Sequence, residues 1–315
     1  MLLIMYGHSH LRIGHSLQLD MISEQPFKGY MDVMSSCVAT MGVGIFIAIS
    51  GWFGIRFKKR GLAQYIFQVF FILWTVYGIA IACHQAGINV QGIKISLTFY
   101  EGYWFVLGYL GLYLISPVLN AFIEHSTKKE FQVVLLSYYL FQSYYSWLSA
   151  WYDYYGGYSI VLFSGIYMTA AYLRKYPIEW LNKHAIGLFV LTIIVMTSIA
   201  YFSLLQCGHA ARQIRDDNPL VILASILLLL SFSKLKFHSH IVNWLAASCF
   251  AVYLIHFSPF VYGHFMQLIH YIYAQYDGIL YALLLLMVLL SVYVVCTLYD
   301  QIRILVWKFL QHKFV

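Results

Sequence analysis

Apolar residues run along this chain in long blocks, with the polar residues gathered between them. The blocks lie near 33–54, 63–83, 103–123, 131–150, 158–173, 185–205, 219–232, 243–265 and 279–299. A helix that crosses a bilayer needs about 20 mostly apolar residues, because each one adds only ~1.5 Å of rise. Most of the blocks reach that length, while 158–173 and 219–232 are the shortest. Met1–Gly7 is apolar too, but it covers only about a third of a crossing and reads as the end of one more helix. The pattern predicts an all-α, polytopic transmembrane helix bundle of about ten spans, the first truncated.

The polar segments between the blocks alternate in charge. Fourteen of the nineteen Lys and Arg residues fall in one alternating set: Arg56, Lys58, Lys59 and Arg60; Lys128 and Lys129; Arg174, Lys175 and Lys183; Lys234 and Lys236; Arg303, Lys308 and Lys313. Arg12, Lys28, Lys94, Arg212 and Arg215 make up the other set. Short cytoplasmic loops carry the excess of positive charge, so the first set and the C-terminus are expected in the cytoplasm. Segments 8–32, 84–102, 151–157, 206–218 and 266–278 then face outward. Residues 301–315 mix Ile, Leu, Val, Trp and Phe with Arg, Lys and His, which predicts an amphipathic cytoplasmic tail lying in the interface.

Composition narrows the class. Apolar residues make up 62% of the chain and charged residues 10%, against the roughly 25% charged that a water-facing surface requires. No hydrophilic stretch approaches the size of a soluble domain, so one membrane domain over 1–315 is expected. The net charge of +7 sits in short inter-block clusters, which is a topological use of charge and argues against nucleic acid as a partner. Cys37, Cys83, Cys207, Cys249 and Cys296 are scattered with no CxxC pair and read as small core residues. Met1–Gly7 is too short for the apolar core of a signal peptide and lacks a basic start, so none is expected.

Histidine is the most suggestive ionisable type. Of thirteen, the densest group is His8, His10 and His15, where the first apolar run ends. An ionisable group at membrane depth is costly to place, and neutral imidazole can serve as a general base near neutral pH. Headgroup-solvated histidines would be the plainer explanation. His8-x-His10 and His238-x-His240 have metal-ligand spacing, but they fall on opposite predicted sides of the membrane and no HxxxH zinc motif with Glu accompanies them; no metal is expected. His15 to Asp20 forms an HxxxxD string of the kind found in glycerolipid acyltransferases, which present it on a largely soluble domain that this chain lacks. Ser50-Gly51-Trp52 ends the second block just before Arg56–Arg60, a cationic run that could orient the helix or receive phosphates. The Tyr-rich stretch Tyr138–Tyr158 reads first as an interfacial aromatic anchor, with a sugar-stacking platform as the sharper alternative.

Several stretches together resemble acyltransferase family 3, the bacterial membrane O-acyltransferases. Leu2-Leu3-Ile4-Met5-Tyr6-Gly7-His8 looks like the end of that family's first helix, which finishes in its motif His. Phe46 to Trp52 resembles its F-x-x-x-SG-aromatic second helix, and Tyr103-Trp104-Phe105 through Ser116-Pro117 its YWF…YLL-P helix. Ser248 to His256 resembles its S-x-x-x-YLIH helix. Order, spacing and topology match over essentially the whole chain. The family also carries an Arg eleven residues before the motif His; counting back from His8 lands before Met1, so that Arg either lies upstream or is missing.

The resemblance implies transfer of an acyl group, usually acetyl, from cytoplasmic acyl-CoA to a hydroxyl of an extracytoplasmic envelope carbohydrate. It makes His8 the candidate catalytic base, and it fits Arg56, Lys59 and Arg60 to the CoA phosphates with Ser50 and Trp104 lining the pocket. His10, Glu101, Trp151 and Tyr152 are candidate acceptor contacts, with Trp147 as a further stacking group, and His256 reads as structural, packed among aromatics, with a role in the acyl channel as the alternative. Acetyl-CoA or another acyl-CoA is the implied donor, delivered through a narrow path that admits its pantetheine arm. The bilayer and an envelope polysaccharide or glycolipid are the expected partners, self-association is left open, and the location is the bacterial inner membrane. Two rivals stand beside this reading: a glycan transporter or flippase, which would show discontinuous helices in two related halves or buried acidic couplers, and an inactive family member. Glu101 is the acidic residue nearest to such a coupler.

Overall fold

The computed structural model describes residues 1–13, 25–97, 103–148, 159–208 and 214–314; the side chains of 10–13, 147 and 312–314 are outside that description as well. The regular secondary structure of the described residues is all helical, with no strand among them. The helices are α1 (Leu2–Ile13), α2 (Pro26–Phe53), α3 (Lys59–Ala82), α4 (Val90–Leu97), α5 (Trp104–His125) and α6 (Lys128–Gln142), which passes into a π-helical turn over Ser143–Leu148. There follow α7 (Ile160–Lys175), α8 (Glu179–Cys207), α9 (Pro219–Phe232), α10 (His240–Ala247), α11 (Cys249–His256), α12 (Pro259–Gln275) and α13 (Gly278–Phe314).

Among the described residues, α2, α3, α5, α8 and α13 are each long and apolar enough to cross a membrane, and α11 with α12 makes a sixth if the pair counts as one span. Only 22% of the apolar window of α13 is buried, so most of that surface, including Leu283, Met287 and Leu298, has no protein to pack on. A soluble fold would leave such a stripe in water at high cost; a lipid-facing helix does not. The chain is a multi-pass membrane protein.

Hydropathy placed the apolar blocks well but missed their interruptions. The block 243–265, expected as one span, is divided among α10, α11 and α12, and α11 and α12 meet at an angle of 83°. The cause is local: Pro259 has no backbone N–H and occupies the first turn of α12, while Ser258 caps that turn by accepting from the Phe260 N–H. The segment 84–102, expected as an outer loop, contains α4. The last block runs without interruption through the segment expected as a separate tail. Cys83 and Cys207, expected in the core, are exposed at helix ends, whereas Cys37 and Cys296 are buried.

The chain forms two compact units. One comprises Met1–Ser9, Lys58–Trp104 and Phe237–Val315, and the other His10–Phe57 and Phe105–Lys236. In the first, α11 packs on α3 and α13, α12 packs on α13 and α3, and α4 lies on α3. In the second, α2 is central and packs on α7, α8 and α9. Its core joins Val33, Cys37 and Met41 of α2 to Ile193, Met196 and Ala200 of α8 and to Val221 and Ala224 of α9. Gly51 brings α2 so close to α7 that a Cβ there would overlap the Tyr167 backbone carbonyl. Pro117 interrupts α5, and the Ser116 hydroxyl donates to the Tyr113 carbonyl that Pro117 leaves without its N–H, at 2.7 Å.

Candidate active site

The break between α11 and α12 leaves backbone carbonyls that no helix satisfies, and in lipid each such group must find a partner within the protein. The Tyr103 side chain supplies one at the Leu254 carbonyl. Tyr103 is 1% exposed and its hydroxyl donates to the Leu254 carbonyl at 2.8 Å. His256 is fully buried, with Nδ1 2.6 Å from the Val252 carbonyl one turn back. Its other nitrogen, Nε2, lies 3.0 Å from Nδ1 of His8 on α1.

His8 is half-buried within this cradle. The Phe257 ring stacks on its imidazole at 4.4 Å between centroids, and Tyr262 meets it edge-on at 6.5 Å. The Tyr262 hydroxyl also donates to the His8 backbone carbonyl at 3.0 Å. Tyr253 stacks with Phe257, and Tyr103 meets both rings edge-on. Thus α11 presents an imidazole to His8 while α12 holds its backbone. The result is a titratable ring of fixed orientation in apolar surroundings, with one nitrogen committed to a histidine partner. An imidazole held in this way is able to act as a general base.

The second unit carries a separate polar feature. Gly54 has φ +78°, a left-handed conformation that glycine adopts without a Cβ clash, and it turns the chain out of α2. Beyond it the Tyr167 hydroxyl accepts from the Ile55 N–H at 2.9 Å and donates to Asn120 Oδ1 at 2.6 Å, while Asn120 Nδ2 donates to the Ile55 carbonyl at 2.7 Å. These bonds shape a groove of about 450 Å³ lined by Trp52, Gly54, Asn120, Glu124, Tyr167 and Arg174 among others. Arg174 donates to the Trp52 carbonyl, and Lys175 Nζ donates to the carbonyls of Ile123 at 2.5 Å and Glu124 at 3.1 Å, neutralising the C-terminal end of α5. Elsewhere in this unit, Asp217 is fully buried, pairs with Arg215 at 2.6 Å and accepts from Ser146 in the π-helical turn. Burial, with the charge of Asp217 next to it, pushes the Asp216 carboxyl up to about 7. Among the described residues no group of three or more His, Cys, Asp or Glu gathers around one point.

The family sequence model described as an acyltransferase domain, that of acyltransferase family 3, matches residues 1–300. The chain belongs to acyltransferase family 3. No curated protein and no solved structure matches it. The match takes in His8, the α11–α12 break and the groove alike, so the polar features above belong to a membrane acyltransferase.

The residues singled out from the acyltransferase's sequence meet different fates. His8 stands in the aromatic cradle just described. Ser50 is half-buried on α2, its hydroxyl donating to the Phe46 carbonyl at 3.1 Å and sharing a 3.3 Å hydrogen bond with Tyr109. Trp104 is half-buried at the first residue of α5. Arg56 is exposed two residues beyond Gly54, and Lys59 and Arg60 are exposed in the first turn of α3, where Arg60 donates to Gln311. Glu101, Trp151 and Tyr152 lie outside the described residues, as does the side chain of His10. His256, read from the sequence as structural, is a direct partner of His8; Tyr103, Phe257 and Tyr262 join it. A signal was present in Ser258-Pro259, an N-cap and first-turn pair that stops an apolar helix immediately after His256.

Proposed function

We propose that this acyltransferase moves an acyl group, acetyl in the first instance, from cytoplasmic acyl-CoA to a hydroxyl of an extracytoplasmic envelope carbohydrate. It does so in the bacterial inner membrane, as a single domain of about ten spans with its C-terminus in the cytoplasm. The observation that carries this reading is His8, oriented by His256 and Phe257 in a chain whose family transfers acyl groups. A sugar hydroxyl is a poor nucleophile until a base takes its proton. His8 takes that proton as the hydroxyl oxygen bonds to the thioester carbonyl carbon. The C–S bond then breaks, and the proton passes from His8 to the departing sulfur, leaving an ester and free CoA.

The exposed cations Arg56, Lys59 and Arg60, close together in sequence, supply charge for the CoA phosphates. Ser50 and Trp104 line the acyl path. His10, Glu101, Trp151 and Tyr152 serve the carbohydrate acceptor. A transporter reading draws on one observation, the 83° break between α11 and α12, because transporters bind cargo at discontinuous helices.

Membranes holding the full chain, supplied with radiolabelled acetyl-CoA, separate the two readings. Label is expected to enter an envelope glycan, and His8→Ala is expected to lower that transfer by about 10²–10⁴-fold, the range for loss of a general base. Glycan left unlabelled by the unaltered chain, or transfer that survives His8→Ala, would sink the acyltransferase chemistry proposed for His8.

A further inference from the structure

We propose that His256 is a positioning residue that fixes the tautomer of His8. A carbonyl oxygen can only accept, so the 2.6 Å contact with Val252 puts a proton on Nδ1 of His256. A neutral imidazole with its proton on Nδ1 has its lone pair on Nε2. That nitrogen lies 3.0 Å from Nδ1 of His8, which is therefore the donor. Neutral His8 is left with its own lone pair on Nε2. The relay runs from a backbone carbonyl through two imidazoles and selects which nitrogen of the second one is basic.

The helix break is what makes this relay available. His256 is the last residue of α11, and the chain turns away immediately after it, so its ring reaches α1 without a following helical turn in the way. Stacking on Phe257 and the Tyr262 bond to the His8 carbonyl fix the imidazole from the far side of the break. When His8 takes a proton on Nε2, the proton on Nδ1 stays in place and His256 remains its acceptor, so the forming cation meets a lone pair that is already oriented. A histidine side chain in water favours the opposite tautomer, with its proton on Nε2, and that form has no lone pair on the side away from His256.

This role rests on His8 being the base, but its first test does not. The full chain in lipid nanodiscs, labelled with ¹⁵N-histidine, reports the tautomer of His8, whose resonances are assigned by their disappearance in His8→Gln. His8 is expected to carry its proton on Nδ1; a proton on Nε2 in the unaltered chain overturns the proposal whether or not acyl transfer is detected. His256→Gln sets an amide oxygen near the position of Nε2, while His256→Asn keeps only the end that faces Val252. His256→Gln is expected to preserve the His8 tautomer and to keep kcat for labelled acetyl transfer within about tenfold. His256→Asn is expected to move the proton to Nε2 and lower kcat by about 100-fold, with KM for acetyl-CoA within about twofold. A loss of transfer in His256→Asn with the His8 tautomer unchanged would make His256 a packing residue only. The expected tautomer with no transfer in any sample would leave the contact standing and remove the acyltransfer chemistry.

Discussion

The two units solve the same problem, polar atoms inside an apolar bundle, in opposite ways. The second unit keeps α2, α7, α8 and α9 continuous and sends polarity to their ends. Its interior is Val, Ile, Met and Ala from α2, α8 and α9, and its charges stand at the margins, with Asp217 and Arg215 before α9 and Arg174 and Lys175 at the end of α7. The first unit breaks a helix in its interior and satisfies the freed Leu254 carbonyl with Tyr103, while His256 stands at the end of the broken helix. Continuous helices need close approach, which small residues permit; a broken helix needs donors, which only polar side chains supply. The histidine pair sits in the unit that breaks a helix in its interior.

Substitutions should therefore hurt the two units for different reasons. The largest expected loss is at a buried ion pair of the first unit. Arg303 is 3% exposed and donates to both oxygens of Asp300, at 2.7 and 2.8 Å, while its remaining Nη1 has no partner among the described residues. Asp300→Asn would strand that cation, at a cost of about 3–5 kcal/mol in unfolding of the reconstituted chain. A stability change below about 1 kcal/mol would show that water or lipid reaches Arg303 and that the pair is not sealed.

Gly51→Ala is next, and it tests the second unit. The added methyl would meet the Tyr167 backbone, which has no flexible side chain to move aside, so about 1–3 kcal/mol of destabilisation is expected. Thermal melting in nanodiscs reads it; a neutral result would mean that α2 and α7 slide apart freely. Tyr103→Phe keeps the ring and deletes only the hydroxyl that serves Leu254. A loss of about 1–1.5 kcal/mol is expected, and hydrogen–deuterium exchange should rise around 254–258 first; uniform exchange across the first unit would argue against a localised role.

The smallest effect is a pH slope in the second unit. Folded Asp216 holds its proton up to about 7, while an unfolded aspartate releases its proton near 4. The folded state thus binds the proton more tightly, and stability should decline as pH rises through that window. Partial exposure of Asp216 keeps the change below about 1 kcal/mol. Asp216→Asn should flatten the slope; an equal slope in both proteins would assign it to another group.

Much of this was written in the order of residues. The apolar blocks that became α2, α3, α5, α8 and α13 are visible because a crossing needs an unbroken run of side chains that lipid accepts, and that requirement acts residue by residue. His8 was visible because an ionisable group at the end of an apolar run has few reasons to be there. The α11–α12 break was marked only by Ser258-Pro259 within a block whose hydropathy barely falters, so a count based on apolar length passed over it. The groove around Tyr167 was not legible at all, since Ile55, Asn120 and Tyr167 come from three separated segments of the chain.

By itself, then, the sequence determined the solvent, the helical class, the family pattern and the histidine at the end of α1. Those properties follow from local chemistry: how many apolar residues occur in a row, and where a charge or an imidazole interrupts them. Only the tertiary structure decided what that histidine touches. His8 and His256 are separated by 248 positions, and whether two imidazoles meet nitrogen to nitrogen depends on where a helix breaks and how the chain turns there.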